Sequence, residues 1–289
     1  MKYGIYYAYW EQEWTADFIP YVKKVKDLGF DILEIGCHNI LSMDDEYLTK
    51  LKNTAEESGI RLTGGYGPDK AHDIASSDAS VVKAAFDKYE AMFKKMKTTG
   101  VKKIGGGLYS YWPVDYTQPI DKPGDLKRSI ANMRDLADMA AGYDITLGME
   151  VLNRFEGYLL NTCAEALDFV TKVDKPNVKI MLDVFHMNIE EDSFTEAIKL
   201  AGDKLGHFHL GEPNRRPPFA GGRMPWREIG DALHAINYTG DAVMEPFVRM
   251  GGTVGTDIRV WRDISNGATD KQLDEDAAKS VKFLRELWG

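Results

Sequence analysis

The chain has 289 residues, 44% of them hydrophobic, and a formal net charge of −9. That length supports a full core and commonly makes one α/β barrel, read here as a single domain over residues 1–289. The acidic balance offers no basic face to nucleic acid, and no run is long enough to span a membrane. The two cysteines, Cys37 and Cys163, are too few for a disulfide framework and suit a reducing cytoplasm.

At the start, Met1 to Trp10 carries one lysine and a short apolar stretch that runs into Glu11 and Glu13, which is not the pattern of a signal peptide. Strands are expected near 3–8, 31–35, 60–64, 102–106, 145–150, 178–183, 205–209 and 241–245. Amphipathic helices are expected near 15–28, 44–58, 79–99, 125–142, 163–172, 194–201, 226–236 and 271–287. Gly29, Gly59, Gly100 and Gly142 stand at helix ends, where a left-handed cap is wanted. Eight alternating units with right-handed crossovers predict an α/β fold closed into a (β/α)8 TIM barrel, with an open doubly wound sheet as the alternative. The loops after the first, fourth, sixth, seventh and eighth strands are long and should carry function.

Four of these strands end on a polar residue: Glu150, Asp183, His209 and Glu245, spaced 33, 26 and 36 residues apart. Any one of them is as readily a helix cap or a loop ion pair. Four in consecutive units, at strand ends that face one mouth, form a divalent-metal ligand set, because three carboxylates and an imidazole would otherwise repel one another. Mixed oxygen and nitrogen donors suit Mn, Co, Mg or Zn. Period-two alternation turns both His207 and His209 inward, so either could be the ligand. His209, nearer the mouth, is assigned to the metal and His207 to a layer beneath it.

Aromatic residues gather at the same rim: Trp14 after the first strand, and Tyr109, Tyr111 and Trp112 after the fourth. Their flat apolar faces suit a sugar skeleton; Tyr109 and Tyr111 could equally close the barrel top or form a subunit contact, whereas Trp14 and Trp112 are read first as substrate contacts. Glu156, His186 and Arg215 follow the ligands by six, three and six residues, on loops that could reach an occupant of the site. Gly251 to Thr256, with Arg215, Arg216 and Arg223, could bind phosphate as such loops do in other barrels. Against this, the segment runs on to Asp257 and Trp261 without a clear helix start.

Several segments together resemble one family. Phe30 to Glu34 (FDILE), Ser110 to Pro113 (SYWP), Glu150 to Glu156 (EVLNRFE), Phe185 to Asp192 (FHMNIEED), Met224 to Trp226 (MPW) and Met244 to Phe247 (MEPF) are similar to the ketose 3-epimerases. That group includes D-psicose (D-allulose) and D-tagatose 3-epimerases, and the similarity extends over essentially the whole chain. The resemblance implies a TIM barrel with one Mn2+ or Co2+ per subunit, Mg2+ being a further option, free ketohexose substrates, and a homodimer or homotetramer. It also implies that Glu150, Asp183, His209 and Glu245 hold the metal, that Glu150 and Glu245 are the acid/base pair, and that Tyr6, Trp14, Trp112, Glu156, His186 and Arg215 bind substrate. Val184, Leu210, the Gly36-Cys37-His38 segment and a longer stretch from Arg216 to Arg223 depart from the family pattern and bear on substrate preference.

The chemistry expected of such a site is inversion at C3 through a cis-enediolate, with one glutamate on each face of the sugar. An aldose-ketose isomerase on the same barrel is the nearest alternative, although it is often a two-metal enzyme. A metal-bearing repair endonuclease would want more histidines and a basic face, and a non-catalytic sugar-binding protein would not need two carboxylates beside a metal.

Overall fold

The computed structural model describes residues 1–289. Eight short runs with little side-chain polarity form parallel strands: β1 (Lys2–Tyr6), β2 (Ile32–Gly36), β3 (Arg61–Gly65), β4 (Lys103–Gly106), β5 (Thr146–Glu150), β6 (Val178–Asp183), β7 (Leu205–Leu210) and β8 (Asp241–Met244). Each pairs with its neighbours in sequence, and β8 returns to β1 through the register Lys2 with Asp241 to Ile5 with Met244, so the barrel is closed. This removes the open-sheet alternative.

Around it run α1 (Phe18–Asp27), α2 (Cys37–Ile40), α3 (Asp45–Ser58), α4 (Ala79–Thr99), α5 (Lys122–Ala141), α6 (Cys163–Val173), α7 (Val184–Glu190), α8 (Phe194–Ala201), α9 (Trp226–Ala235), α10 (Gly252–Asp257) and α11 (Asp270–Trp288). Their starts are written in the sequence. Asp17, Asp44, Asp78 and Ser193 each accept a backbone N–H of the first turn, while Thr162 with Glu165 and Thr269 with Gln272 form capping boxes. Their apolar stripes, such as Val22 and Val25 of α1, Phe93 and Met96 of α4, and Leu284 of α11, are buried against the barrel.

Several expectations need correction. The first strand stops at Tyr6, and Tyr7–Tyr9 tightens into a 3-10 turn whose three side chains are all buried. Gly142 is right-handed; the positive φ falls on Asp144, so the helix ends without a left-handed glycine. The sixth strand has no long loop after it, since β6 runs directly into α7, whereas the long connection, residues 151–162, follows β5. The segment after β8 does contain a short helix, α10.

One irregularity matters for the site. Along β6 and β7 the register steps from Ile180 opposite Leu205 to Met181 opposite His207, leaving Gly206 as the extra residue. The step brings His209 opposite Asp183; an unbroken register would have put Phe208 there. A side chain at 206 would meet Lys179 Cβ at 2.4 Å, so glycine permits the close approach. Gly206→Ala should therefore overpack this contact and cost about 1–3 kcal/mol, read as a lower urea midpoint with an unchanged slope; an unaltered midpoint would remove the packing constraint.

Candidate active site

The four strand-end residues meet at the carboxyl end of the barrel. One ligand atom from each of Glu150, Asp183, His209 and Glu245 lies within 4.8 Å of all the others. His209 Nδ1 stands 3.8 Å from Glu150 Oε1, 4.0 Å from Asp183 Oδ2 and 3.6 Å from Glu245 Oε1. Buried and without a hydrogen-bond partner, that nitrogen faces three carboxylates across a gap too wide for direct bonds. An orphaned imidazole nitrogen ringed by oxygens fits a divalent cation, and this donor set suits one.

Asp183 fulfils both roles that its position allowed. Its Oδ1 caps α7 by accepting from Phe185 N at 2.6 Å, and its Oδ2 turns to the cluster. On the other side of His209, Nε2 lies 2.6 Å from Glu34 Oε1, which fixes the ring. Burial works against the charge of Glu34, but His207 and His209 outweigh it and hold the carboxyl well below the usual range. Burial and then Glu245 push Glu150 well above it. His209 is pulled down by burial and more strongly raised by Glu34 and Glu245. The shifts of Glu150 and His209 share one cause, carboxylates crowded together in a buried place, while that of Glu34 comes from the imidazoles beside it.

Arg215 supplies part of the compensation. From a left-handed backbone at φ 62°, its Nη1 donates to Glu245 Oε2 at 2.9 Å and to Asp183 Oδ2 at 3.2 Å, and its guanidinium lies 3.7 Å over the Phe185 ring. Glu156 stands 3.7 Å from Arg215 Nη2 and accepts from Asn153 Nδ2. His186 sits on α7, not on a loop. Its Nδ1 accepts from the Asn153 backbone N–H at 3.1 Å, so the ring proton belongs on Nε2, which faces Glu150 and Asp183 at 3.8 and 3.9 Å. Burial drives the His186 pKa down to about 3, keeping the ring neutral.

These residues open into a cavity of about 380 Å³, within the usual range for small-molecule pockets. Tyr6, Trp14, Trp112, Glu156, His186 and Arg215 all line it. Trp14 is anchored through Nε1 to Asp257 Oδ2 at 2.7 Å and meets Trp112 and Phe247 edge-on. Of the remaining rim aromatics, Tyr109 is buried away from the cavity, its hydroxyl donating to the Glu150 carbonyl at 2.7 Å, and Tyr111 lies outside the lining. Arg216 and Arg223 are also outside it, so no basic cradle faces the cavity from the glycine-rich segment.

Sequence reasoning assigned no role to Glu34, Asn153, His38, Tyr66 or Lys88. Glu34 had a signal, a carboxylate inside an otherwise apolar strand; the others arrive through loop and helix geometry.

Residues 22–287 match the family model described as the xylose isomerase-like TIM barrel. A D-psicose 3-epimerase of Agrobacterium fabrum is 52% identical over 289 residues, covering 100% of both chains. A crystal structure of D-psicose 3-epimerase in the presence of D-fructose superposes with a TM-score of 0.98 at 52% identity, over 100% of each chain. One from Clostridium cellulolyticum H10 with D-tagatose gives 0.98 at 53% identity, over 100% of this chain and 99% of that one.

Arg215→Ala removes a buried cation from two carboxylates. The metal-free protein should lose about 3 kcal/mol, and a divalent ion should raise the melting temperature of the variant more than that of the parent. Equal melting temperatures for the two metal-free proteins would show that Arg215 does not offset this charge.

Proposed function

The chain belongs to the D-psicose 3-epimerase family, within the xylose isomerase-like TIM barrels, and from that premise we propose that its C3 epimerisation of ketohexoses runs by proton transfer at two glutamates, Glu150 and Glu245, placed on opposite faces of the sugar. The observation that carries this reading is the convergence of the four-residue cluster, Arg215 and His186 on one cavity lined by Trp14 and Trp112.

A divalent ion held by Glu150, Asp183, His209 and Glu245, Mn2+ or Co2+ in our reading with Mg2+ as an option, would supply Lewis-acid polarisation of the C2 carbonyl, worth several kcal/mol. The residues do the rest. The C3–H bond is acidified by the neighbouring carbonyl; one glutamate takes that proton, leaving a cis-enediolate, and the other returns a proton to the opposite face, the two roles exchanging with the direction of reaction. Glu150 and Glu245 stand three strands apart round the closed barrel, from where they can supply the two faces. The Nε2–H of His186, neutral throughout the working range, donates to a sugar oxygen without adding charge. Arg215 and Glu156 hold the oxygens at C1 to C3, so that C3 stays within reach of both carboxylates. Trp14, Trp112 and Tyr6 pack against the carbon skeleton and exclude water. This apolar contact reads the tail of the sugar loosely, so several free ketoses should be accepted.

We infer a homodimer or homotetramer in the cytoplasm. Phe155 and Trp261, on loops at this face, are 60% and 69% exposed, which favours a covering partner. Both cysteines are free and buried, and no helix is long and apolar enough to cross a membrane.

Glu150→Gln and Glu245→Gln should each lower kcat by roughly 10²–10⁴-fold or more while ketose binding is partly kept; near-normal turnover of either variant with metal present would end the two-glutamate scheme. In deuterated water the label should enter at C3. Label at C1 alone would instead identify an aldose-ketose isomerase. Chelation should abolish turnover of D-fructose, and added Mn2+ or Co2+ should restore it; activity that survives exhaustive chelation would refute the need for an ion.

A further inference from the structure

Beneath the four-residue cluster lies a second polar layer that the proposed chemistry does not use. Glu34, on β2, is buried inside the barrel, and each of its oxygens is engaged by side chains from the barrel wall. Oε1 lies 2.6 Å from His209 Nε2, and Oε2 lies 2.8 Å from His207 Nε2 and accepts from Thr63 Oγ1 at 2.8 Å. Thr63 is its register partner on β3, and His207 and His209 share one face of β7. Below them, His207 Nδ1 stands 4.0 Å from Asp241 Oδ2, which takes a bond from Lys103 Nζ at 2.6 Å; Lys103 Nζ also donates to the Gly206 carbonyl at 2.7 Å. A polar column thus descends from the candidate metal site toward the opposite end of the barrel.

Glu34, His207 and His209 have donor atoms close enough to be considered a cation site of their own. The distances argue otherwise. Donors around one ion at bonds of about 2.1 Å stand roughly 3 Å or more apart, whereas the Glu34 oxygens touch the imidazole nitrogens at hydrogen-bond length. The His207 contact is short but misaligned, since that nitrogen makes no well-directed hydrogen bond.

We propose that Glu34 is a positioning residue for the metal centre: by accepting the Nε2–H of His209 while held by the Thr63 hydroxyl, it places the ring proton on the far side and presents a bare Nδ1 to the ion. Without that acceptor, an isolated imidazole can carry its proton on either nitrogen and can turn about its side-chain bonds. Both would reduce the fraction of molecules with Nδ1 free and aimed at Asp183, Glu150 and Glu245. Carboxylates behind ligating histidines act in this way in general. The inference rests on the metal reading of the four-residue cluster and not on the identity of the sugar.

The test is a calorimetric titration of the metal-free, full-length chain with Mn2+, repeated with Co2+ while its visible absorption band is followed. The parent should bind one ion. Glu34→Gln, which keeps the shape of the side chain but not its charge, should bind one ion about 10–100-fold more weakly, with an altered Co2+ band; its melting temperature without metal should fall as well, because buried charge-assisted contacts to the imidazoles are lost. Glu34→Asp, shorter by one methylene but still charged, should fall between the two and serves if the Gln variant does not fold. Affinities within twofold of the parent would overturn the proposal. So would two ions in the parent and one in the variant, which would make the layer a cation site. A parent that binds no ion would refute the metal reading itself.

Discussion

Negative charge concentrated in the dry end of a barrel is the constraint on which the rest of this molecule depends. Glu150, Asp183 and Glu245 converge around one imidazole; Glu150 and Asp183 are buried from solvent, and Glu245 keeps only partial exposure at the cavity. Such an arrangement is sustainable only if positive charge is brought in. Arg215 brings part of it, threaded from the loop after β7 and clamped over Phe185, and a divalent ion suits what is left. The upward shift of Glu150, through burial and the Glu245 carboxylate, expresses the same strain in the free protein. A cluster that is costly to assemble without a cation is also one that favours binding it.

The barrel shares the cost among elements that are rigid for other reasons. Asp183 is held because it caps α7, and His186 because its Nδ1 accepts from the Asn153 backbone. Tyr109, buried beneath the rim, hydrogen-bonds the carbonyl of Glu150 itself. Trp14 is fixed by Asp257 across the mouth of the cavity. Each contact turns a local structural need to aiming a side chain, and together they hold the placement that epimerisation at a single carbon requires. The register step at Gly206 belongs to the same set, since it decides which residue of β7 faces Asp183.

The polar layer under the site gives the barrel interior an unusual core. Where close-packed aliphatic side chains would be ordinary filling, Glu34, Thr63, His207, Asp241 and Lys103 occupy the axis. Every carboxylate oxygen in that column has a donor or an imidazole beside it, so the polarity is largely compensated. Its upper end is His209, so the column is continuous with the four-residue cluster at the barrel mouth.

How much was legible beforehand follows from which interactions are local. Strands and helices were readable because periodicity acts over a few residues; the Thr162 and Glu165 capping box is just as local but went unread, and of the glycine ends that were named Gly142 does not take the left-handed form. Glu150, Asp183, His209 and Glu245 were readable because parallel strands one unit apart must end at the same face, so their order in the chain becomes their order round the mouth. The resemblance carried the ketose assignment, since no spacing specifies a sugar. Other features needed the closed barrel. The slip that lifts His209 level with Asp183 is a property of two strands packed around Gly206, and Glu34 meets His209 across 175 residues of chain. Tyr109 and Trp112 look alike in sequence, yet one is sealed under Glu150 and the other lines the cavity. The sequence by itself determined the order of the elements and the chemistry at their ends, because those depend on near neighbours. Only the tertiary structure decided which nitrogen, which oxygen and which aromatic face point into the cavity, because that is settled by contacts between residues far apart in the chain.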